Sequence, residues 1–591
     1  MNRNKTYIKL LAEMLLAGSV LFAQTQFQYT GANATGQMVL TGTVNLSQIA
    51  QPLQIAQATR IALPEAKPKI PPKFLPPPAP PRGFSITATP VLASLPVTPA
   101  SSSFGFNGLT HLDQRNANGG NQFSVEPPNP SIAVSSTAIL EGVNNAVTVY
   151  SRTGTPLLPT LTSNQVFGLG VAIDRSTNLA GVFPTDMRVL YDQGIDRWFI
   201  VQRAQCCDLN GNNVNSSQVY VAVSQTSDPT GAYRVYTIDT TQLLRPGCGH
   251  GCVADYPQLG ADQNAFFISW NDYSLDPNAN PSSFPLGASI MAISKTSLAA
   301  GAASPTAFKF IVPVTTGFEF TVQPANTPAG GSYLVASGGV EYFVSDIATG
   351  DSNLSIWAMA NTMSLGTASP SMTLTRISVP ALLYQSPSNV VQKTGPLAYG
   401  STLSPPGLEA LIDGSDARVL SVAYVAGRLY VTFGTQVSDG NGHLLVGAAY
   451  VILSPTYRGG LLAANVLGQG YVTASNNSLL RPAIGVNAQA RGAIVFTLVG
   501  PDYFPSAAFV PVSGFSAGAA IQVAAPGVLP EDGFTGYPDL GFPSQGVARW
   551  GDYSTAVASG DGSVWMITEY IPNSPRTQFA NWGTFLIQYA P

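Results

Sequence analysis

The chain has 591 residues, of which 10% are charged and 45% hydrophobic, with 57 glycines, 47 prolines and a formal charge of −4. It has no basic stripe to neutralise phosphates, which excludes nucleic acid and anionic membrane surfaces as partners. Its polarity comes from Ser, Thr, Asn and Gln, as in β-rich extracellular proteins.

Residues 1–23 read as a secretory signal peptide: Arg3, Lys5 and Lys9 precede an apolar run, Leu10–Ala23, too short to span a bilayer. The expected location is therefore extracellular or periplasmic. No later stretch approaches the roughly 20 apolar residues of a membrane helix, so no membrane span is expected. Residues 24–102 form a low-charge, Pro-rich arm or linker. Within it "PEAKPKIPPKFLPPPAPPR" (64–82) favours extended polyproline II, either as a spacer or as an arm wrapped on the next domain.

Four cysteines agree with export: Cys206 and Cys207 are adjacent, and Cys248 and Cys252 flank "GHG". A bridge between neighbours in sequence is strained, so cross-links from the first pair to the second are expected. His250 between two thiols offers a zinc alternative, but the spacing is not a paired C-x₂-C. No metal or other cofactor is expected. The "DLNGNN" loop (208–213) has oxygens for calcium without the full ligand spacing.

From residue 103 onward the chain repeats. Units begin at Pro130, Met187, Pro257, Ser332, Ala417, Pro482 and Tyr553, 57 to 85 residues apart. Each has a short strand of small residues, a Gly/Asn/Asp/Ser turn, and a stronger aromatic and β-branched strand such as "AFFISW" or "SVWMITEY". Room remains for two more strands, as with "QVYVAVSQ" (218–225) and "YRVYTID" (233–239). A fixed pattern at a loose period predicts an all-β, seven-bladed β-propeller of four-stranded blades over 103–591. After "WGTFLIQY" (582–589) the last blade is one strand short. An N-terminal strand, "SFGFNGLTHL" (103–112), is expected to close the ring.

Loops leading into innermost strands open on one end of a propeller's channel. Those positions are Asn129; Asp186 and Arg188; Asp255 and Tyr256; Tyr333; Asp416 and Arg418; Arg481; and Arg549, Asp552 and Tyr553. Glu569 and Tyr570 end a second strand on the same side. In a chain this poor in charge, such a concentration marks the default ligand site. Asp186, Arg188, Asp255, Tyr256, Arg418, Arg481 and Arg549 are the candidate ligand contacts, and Asp552, Tyr553 and Glu569 the catalytic candidates. Guanidiniums there could hold an anionic or polyhydroxylated ligand; the same residues could instead be ion pairs stitching blades together. Tyr256 or His250 would be the base of a lyase. "GFSAG" (514–518) fits a nucleophile elbow but falls between outer strands, outside the α/β setting that motif requires.

With these motifs the chain resembles the sialidase-like, BNR-repeat propellers. Their Asp-box turn is matched by "TSDPTGAY" (226–233) through Thr226, Asp228, Gly231 and Tyr233. It also resembles a narrower group of secreted bacterial propeller proteins, through Glu126–Asn129, Arg188–Asp192, Asp255–Gly260 and a C-terminal "RWGDYS" (549–554). The sialidase resemblance implies an arginine cluster that grips a sugar carboxylate, with a Tyr nucleophile and a separate acid. The narrower one implies fold and export but no activity. The reading is a secreted monomer that binds a glycan or other extracellular ligand at the channel mouth. A carbohydrate-active hydrolase or lyase at the same place, and a scaffold anchored through the Pro-rich arm, are the alternatives.

Overall fold

The computed structural model describes residues 24–49, 89–101, 103–177, 179–207, 213–242, 245, 248, 251–275, 286–313, 321–347, 350–537 and 546–591. The signal segment, the Pro-rich run 64–82, His250 and most of the "DLNGNN" loop lie outside these residues.

Seven antiparallel sheets form a ring. In blade 1 the strands are Ser131–Val134, Ala138–Val143, Ala146–Ser151 and Leu161–Thr162; in blade 7, Thr555–Ala558, Val564–Tyr570, Gly583–Tyr589 and Ser103–Thr110. The second strands are buried on both faces because a neighbouring blade covers each side. Ala138–Val143 and Val564–Tyr570 are buried at every position, which is why their apolar runs are continuous and not alternating. Hydrogen bonds cross every seam. Val189 N donates to Ser131 Oγ (3.1 Å) between blades 1 and 2, and Ala254 N to Ser217 Oγ (3.3 Å) between 2 and 3. Ser269 Oγ donates to the Val322 carbonyl (2.6 Å), and Val419 N to Asp346 Oδ1 (3.1 Å). Ser421 reaches Ile484 O (3.2 Å), Thr497 meets Thr568 (3.1 Å), and Thr555 Oγ1 donates to Pro130 O (3.2 Å) between blades 7 and 1.

Ser103–Thr110 runs antiparallel to Gly583–Tyr589 as the outer strand of blade 7. Glu141 of blade 1 holds it there: its carboxylate accepts from Leu109 N (3.1 Å) and Thr584 Oγ1 (2.6 Å). The arm before it also supplies strands. Gln26–Thr30, Ala32–Asn33 and Met38–Asn45 become fifth strands of blades 4, 3 and 2 in turn, and Val97–Pro99 joins blade 6 in parallel.

Two expectations are corrected. The innermost strand of blade 4 is Gln323–Pro324, not the run at Ser332, where Ala336–Gly338 is a 3-10 turn. Pro and Gly in "QPANTPAGG" allow only two residues of pairing. Tyr333 consequently sits at the far end of the channel, its hydroxyl 3.5 Å from Asp192 Oδ1 and its ring 5.0 Å from Lys295 Nζ. The disulfide joins Cys248 to Cys252. Neither is then available to Cys206 or Cys207, whose side chains lie outside what is described.

Two long connections, 386–416 between blades 4 and 5 and the described parts of 526–552 (526–537 and 546–552) between blades 6 and 7, lie together across the mouth side. Leu411–Ile412 pairs in parallel with Val547–Ala548, and Asp532 accepts from the amides of Tyr399 (2.6 Å) and Gly400 (2.9 Å). Trp550, at the end of this cover, is fully buried among Val390, Ile412, Val446, Leu480 and Val499. It therefore fills the junction of the cover with blades 5 and 6.

Candidate functional site at the channel mouth

The mouth is built from a repeated backbone irregularity. At the residue leading into the inner strand, Asn129, Asp186, Tyr256, Thr321 and Arg481 have φ of 51°, 57°, 55°, 56° and 52°; Ser415 (68°) and Gly551 (45°) lie one residue earlier in blades 5 and 7. In blades 2, 3 and 6 the pairing with the second strand slips at this point, between Thr185/Arg188, Asp255/Gln258 and Leu480/Ala483. Left-handed backbone costs a non-glycine residue about 1 kcal/mol or more, most of all a β-branched one such as Thr321. In blades 1, 2, 3 and 6 it accompanies the convergence of the Asn129, Asp186, Tyr256 and Arg481 side chains on one network.

Converged, they form a charge-matched network. Asn129 Nδ2 donates to Asp186 Oδ1 (3.1 Å) and Asp552 Oδ2 (2.8 Å), and its Oδ1 accepts from Asp552 N (2.7 Å), which joins "RWGDYS" to the lead-in of blade 1. Arg203 lies 2.6 Å from Asp186 Oδ2 and 3.1 Å from Asp255 Oδ1. Arg418 grips Asp416 through two hydrogen bonds of 2.8 and 2.6 Å. Arg481 donates to Gly551 O (2.6 Å) and lies 3.4 Å from Asp413 Oδ2; Arg549 lies 3.1 Å from Asp552 Oδ1. Tyr256 donates to the Asp552 carbonyl (3.1 Å). Arg549, Asp413 and Asp552 are the most open of these side chains, at 34%, 30% and 28%. Burial raises the Asp255 carboxyl to about 6 against the pull of Arg203. Burial would raise Asp552 too, but Arg549 and Arg481 hold it below the ordinary carboxylate range.

The catalytic candidates fare differently. Tyr553 is 1% exposed, its hydroxyl donates to Met187 O (2.7 Å), and burial pushes its pKa well up. It is committed to holding blades 7 and 2 together and is a poor nucleophile. Glu569 is buried beneath Gly551 with Oε2 unbonded, and burial raises its carboxyl well above the ordinary range. Only Asp552 of the three faces the opening. Arg188 is also displaced: it lines the channel below the mouth, stacked on Tyr553 with its guanidinium carbon 3.2 Å from the ring centroid.

Sequence reading missed Arg203 and Asp413. Arg203 lies in the second strand of blade 2, paired with Thr185 beside the irregularity at Asp186, and no lead-in pattern marks it. Asp413 belongs to the 386–416 cover. Glu126 and Glu531 were missed as well: Glu126 Oε2 accepts from Thr535 N (2.9 Å) and Oγ1 (2.7 Å), and so ties the 526–552 cover to blade 1.

No protein-family model matches this sequence, and no characterised protein matches it in sequence. Similar solved structures include Trypanosoma rangeli sialidase with 2,3-difluorosialic acid (10% identity, 75% of this chain and 56% of that one, TM-score 0.30). NanB sialidase from Streptococcus pneumoniae is 11% identical over 83% of this chain and 70% of that one, TM-score 0.33. Zg3597, a family 117 glycoside hydrolase from Zobellia galactanivorans, is 8% identical over 69% and 85%, TM-score 0.28. This chain spans little more than half the length of the trypanosomal enzyme. At such identities and scores these likenesses carry nothing about the site, and the propeller rests on its own strand pairing.

Proposed function

We propose that this is a secreted, monomeric propeller that binds a neutral or weakly charged glycan at the channel mouth without turning it over. The observation that carries the reading is the division of labour at the mouth: the open side chains are Arg549, Asp552 and Asp413, while the Tyr553 hydroxyl is consumed and Glu569 is covered. Alternating guanidinium donors and carboxylate acceptors of balanced charge suit a surface of hydroxyl groups, each both donor and acceptor. Binding of purified protein to a panel of polysaccharides, with Asp552→Asn and Arg549→Ala alongside, tests it. Wild-type binding that both variants lose supports the reading. No binding by verified folded protein overturns it.

A second reading rests on one asymmetry. Burial raises the Glu569 carboxyl well above the ordinary carboxylate range, and Arg549 and Arg481 hold that of Asp552 nearby below it. A pair pushed apart in this way is what acid/base cleavage of a glycosidic bond requires. Product analysis on the bound polysaccharide decides it: fragments that disappear with Glu569→Gln make the protein a carbohydrate-active enzyme.

A further inference from the structure

The central channel runs between the inner strands of all seven blades, and two charged side chains line it among the described residues, Arg188 and Asp192. At the far end Asp192 lies 2.5 Å from Lys295 Nζ and is neutralised. Arg188, at the mouth end, is not. Of the five arginines gathered there, Arg203, Arg418, Arg481 and Arg549 each lie against an aspartate, and Arg188 rests only on aromatic faces. It is 8% exposed, and its Nε and Nη2 have no hydrogen-bond partner.

Gln258 holds the same place in blade 3 that Arg188 holds in blade 2, the first paired position past the slip in register. It is 1% exposed, lines the same channel, and its Nε2 is also without an acceptor. Ser131 of blade 1 lines it too; its oxygen accepts from Val189 N, which leaves the hydroxyl proton to donate. Ser131, Arg188 and Gln258 thus share one lumen, lined by the inner strands of three successive blades. A buried cation without a counterion, beside further donors without acceptors, is a costly arrangement unless something supplies the missing acceptor.

We propose that the channel just beneath the mouth is a binding site for a small monovalent inorganic anion of halide size, held between Arg188 and Gln258. A halide accepts from several N–H and O–H groups at once, donates nothing, and balances one guanidinium. A carboxylate carried by a ligand in the mouth offers similar acceptor chemistry, and the experiment separates the two.

The folded protein is unfolded thermally in increasing sodium bromide, against sodium gluconate at matched ionic strength. A saturable rise in Tm with bromide alone, and a bromide anomalous diffraction peak between Arg188 and Gln258, are expected. Gln258→Leu removes one donor to the ion and should raise the half-saturating bromide concentration about tenfold. In gluconate the same variant should be no less stable than wild type, since it deletes an unsatisfied group. Arg188→Met should abolish the bromide response; if it does not fold, Gln258→Leu carries the test. Arg549→Ala, which alters the mouth, should leave the response intact, so failure of the glycan reading and failure of the ion site are distinguishable. Identical unfolding in both salts with no anomalous peak overturns the proposal in favour of water. So does stabilisation by glucuronate alone that Arg549→Ala removes, since the acceptor then belongs to a mouth ligand.

Discussion

Replacing Trp550 with alanine tests how the mouth-side cover is held down. The indole is fully buried among Val390, Ile412, Val446, Leu480, Val499 and Ile571, and its N–H donates to Thr497 Oγ1 at 3.2 Å. A side chain of this kind removes about 200 Å² from water, or about 5 kcal/mol at 25 cal/mol/Å². Partial collapse of the cavity brings the expected loss to ~3–5 kcal/mol. Thr497 keeps Thr568 and the Glu569 carbonyl as partners, so the truncation orphans no buried hydroxyl. With ~2.1 cal/mol/K of unfolding entropy per residue, a loss of ~4 kcal/mol over about 500 described residues lowers Tm by about 4 °C. Differential scanning calorimetry reads this directly, and Trp550→Phe should recover more than half of it because the ring refills most of the space. Because Leu411–Ile412 pairs beside Val547–Ala548, proteolysis within 386–416 should quicken in the alanine variant. A Tm within 1 °C of wild type, or equal losses for Phe and Ala, would refute the wedge role.

Arg549→Ala breaks an ion pair whose partners are 34% and 28% exposed, so stability should change by at most about 1 kcal/mol while glycan binding falls; paired melting and binding curves check this. Burial raises Glu126 and Glu141 to about 7 and Asp255 to about 6, so the folded protein binds more protons than the unfolded chain between these values and the ordinary carboxylate range. Stability from these groups is complete below the ordinary carboxylate range and lost progressively as pH rises from there through 6 to 7. Tm at pH 8 should lie below Tm at pH 5, and Glu141→Gln, removing a swing of about 3 kcal/mol, should flatten the profile. Cys248→Ser with Cys252→Ser opens a bridge of four-residue separation, and the chain-entropy model puts the loss at roughly 2 kcal/mol, read by denaturant titration.

The second strands were legible because burial between two blades demands unbroken apolar runs, and "AFFISW" and "SVWMITEY" lie where those runs place them. Blade 4 was not, because "SYLVASGG" mimics a small-residue strand while the real one is two residues long. At the mouth, a charge-poor chain made its few Asp and Arg conspicuous, and pairs such as Arg418 with Asp416 sit at neighbouring positions in sequence. Direction was not legible: the slip in register between Thr185 and Arg188 sends Arg188 into the channel, two residues from Asp186 in the mouth network. Nor was depth, since Glu531 and Glu569 are buried where two covers 140 residues apart in sequence come together, a meeting that no local pattern encodes.

The arm that lends strands to four of the blades is synthesised before any of the strands it joins. Thr41 bonds to Val235, 194 residues later, and the Gln24 side chain to Ala464, 440 residues later. It is also laid down in reverse, to blade 4, then 3, then 2, before Val97–Pro99 and Ser103–Thr110 turn to blades 6 and 7. Gln26–Thr30 must thus wait for Thr373–Gln385 and Ser103–Thr110 for Gly583–Tyr589, and until the arm docks blades 2 to 4 present bare outer edges. Yield of native protein becomes a race between this strap closing on its own ring and two unstrapped rings pairing edge to edge, a race that dilution favours.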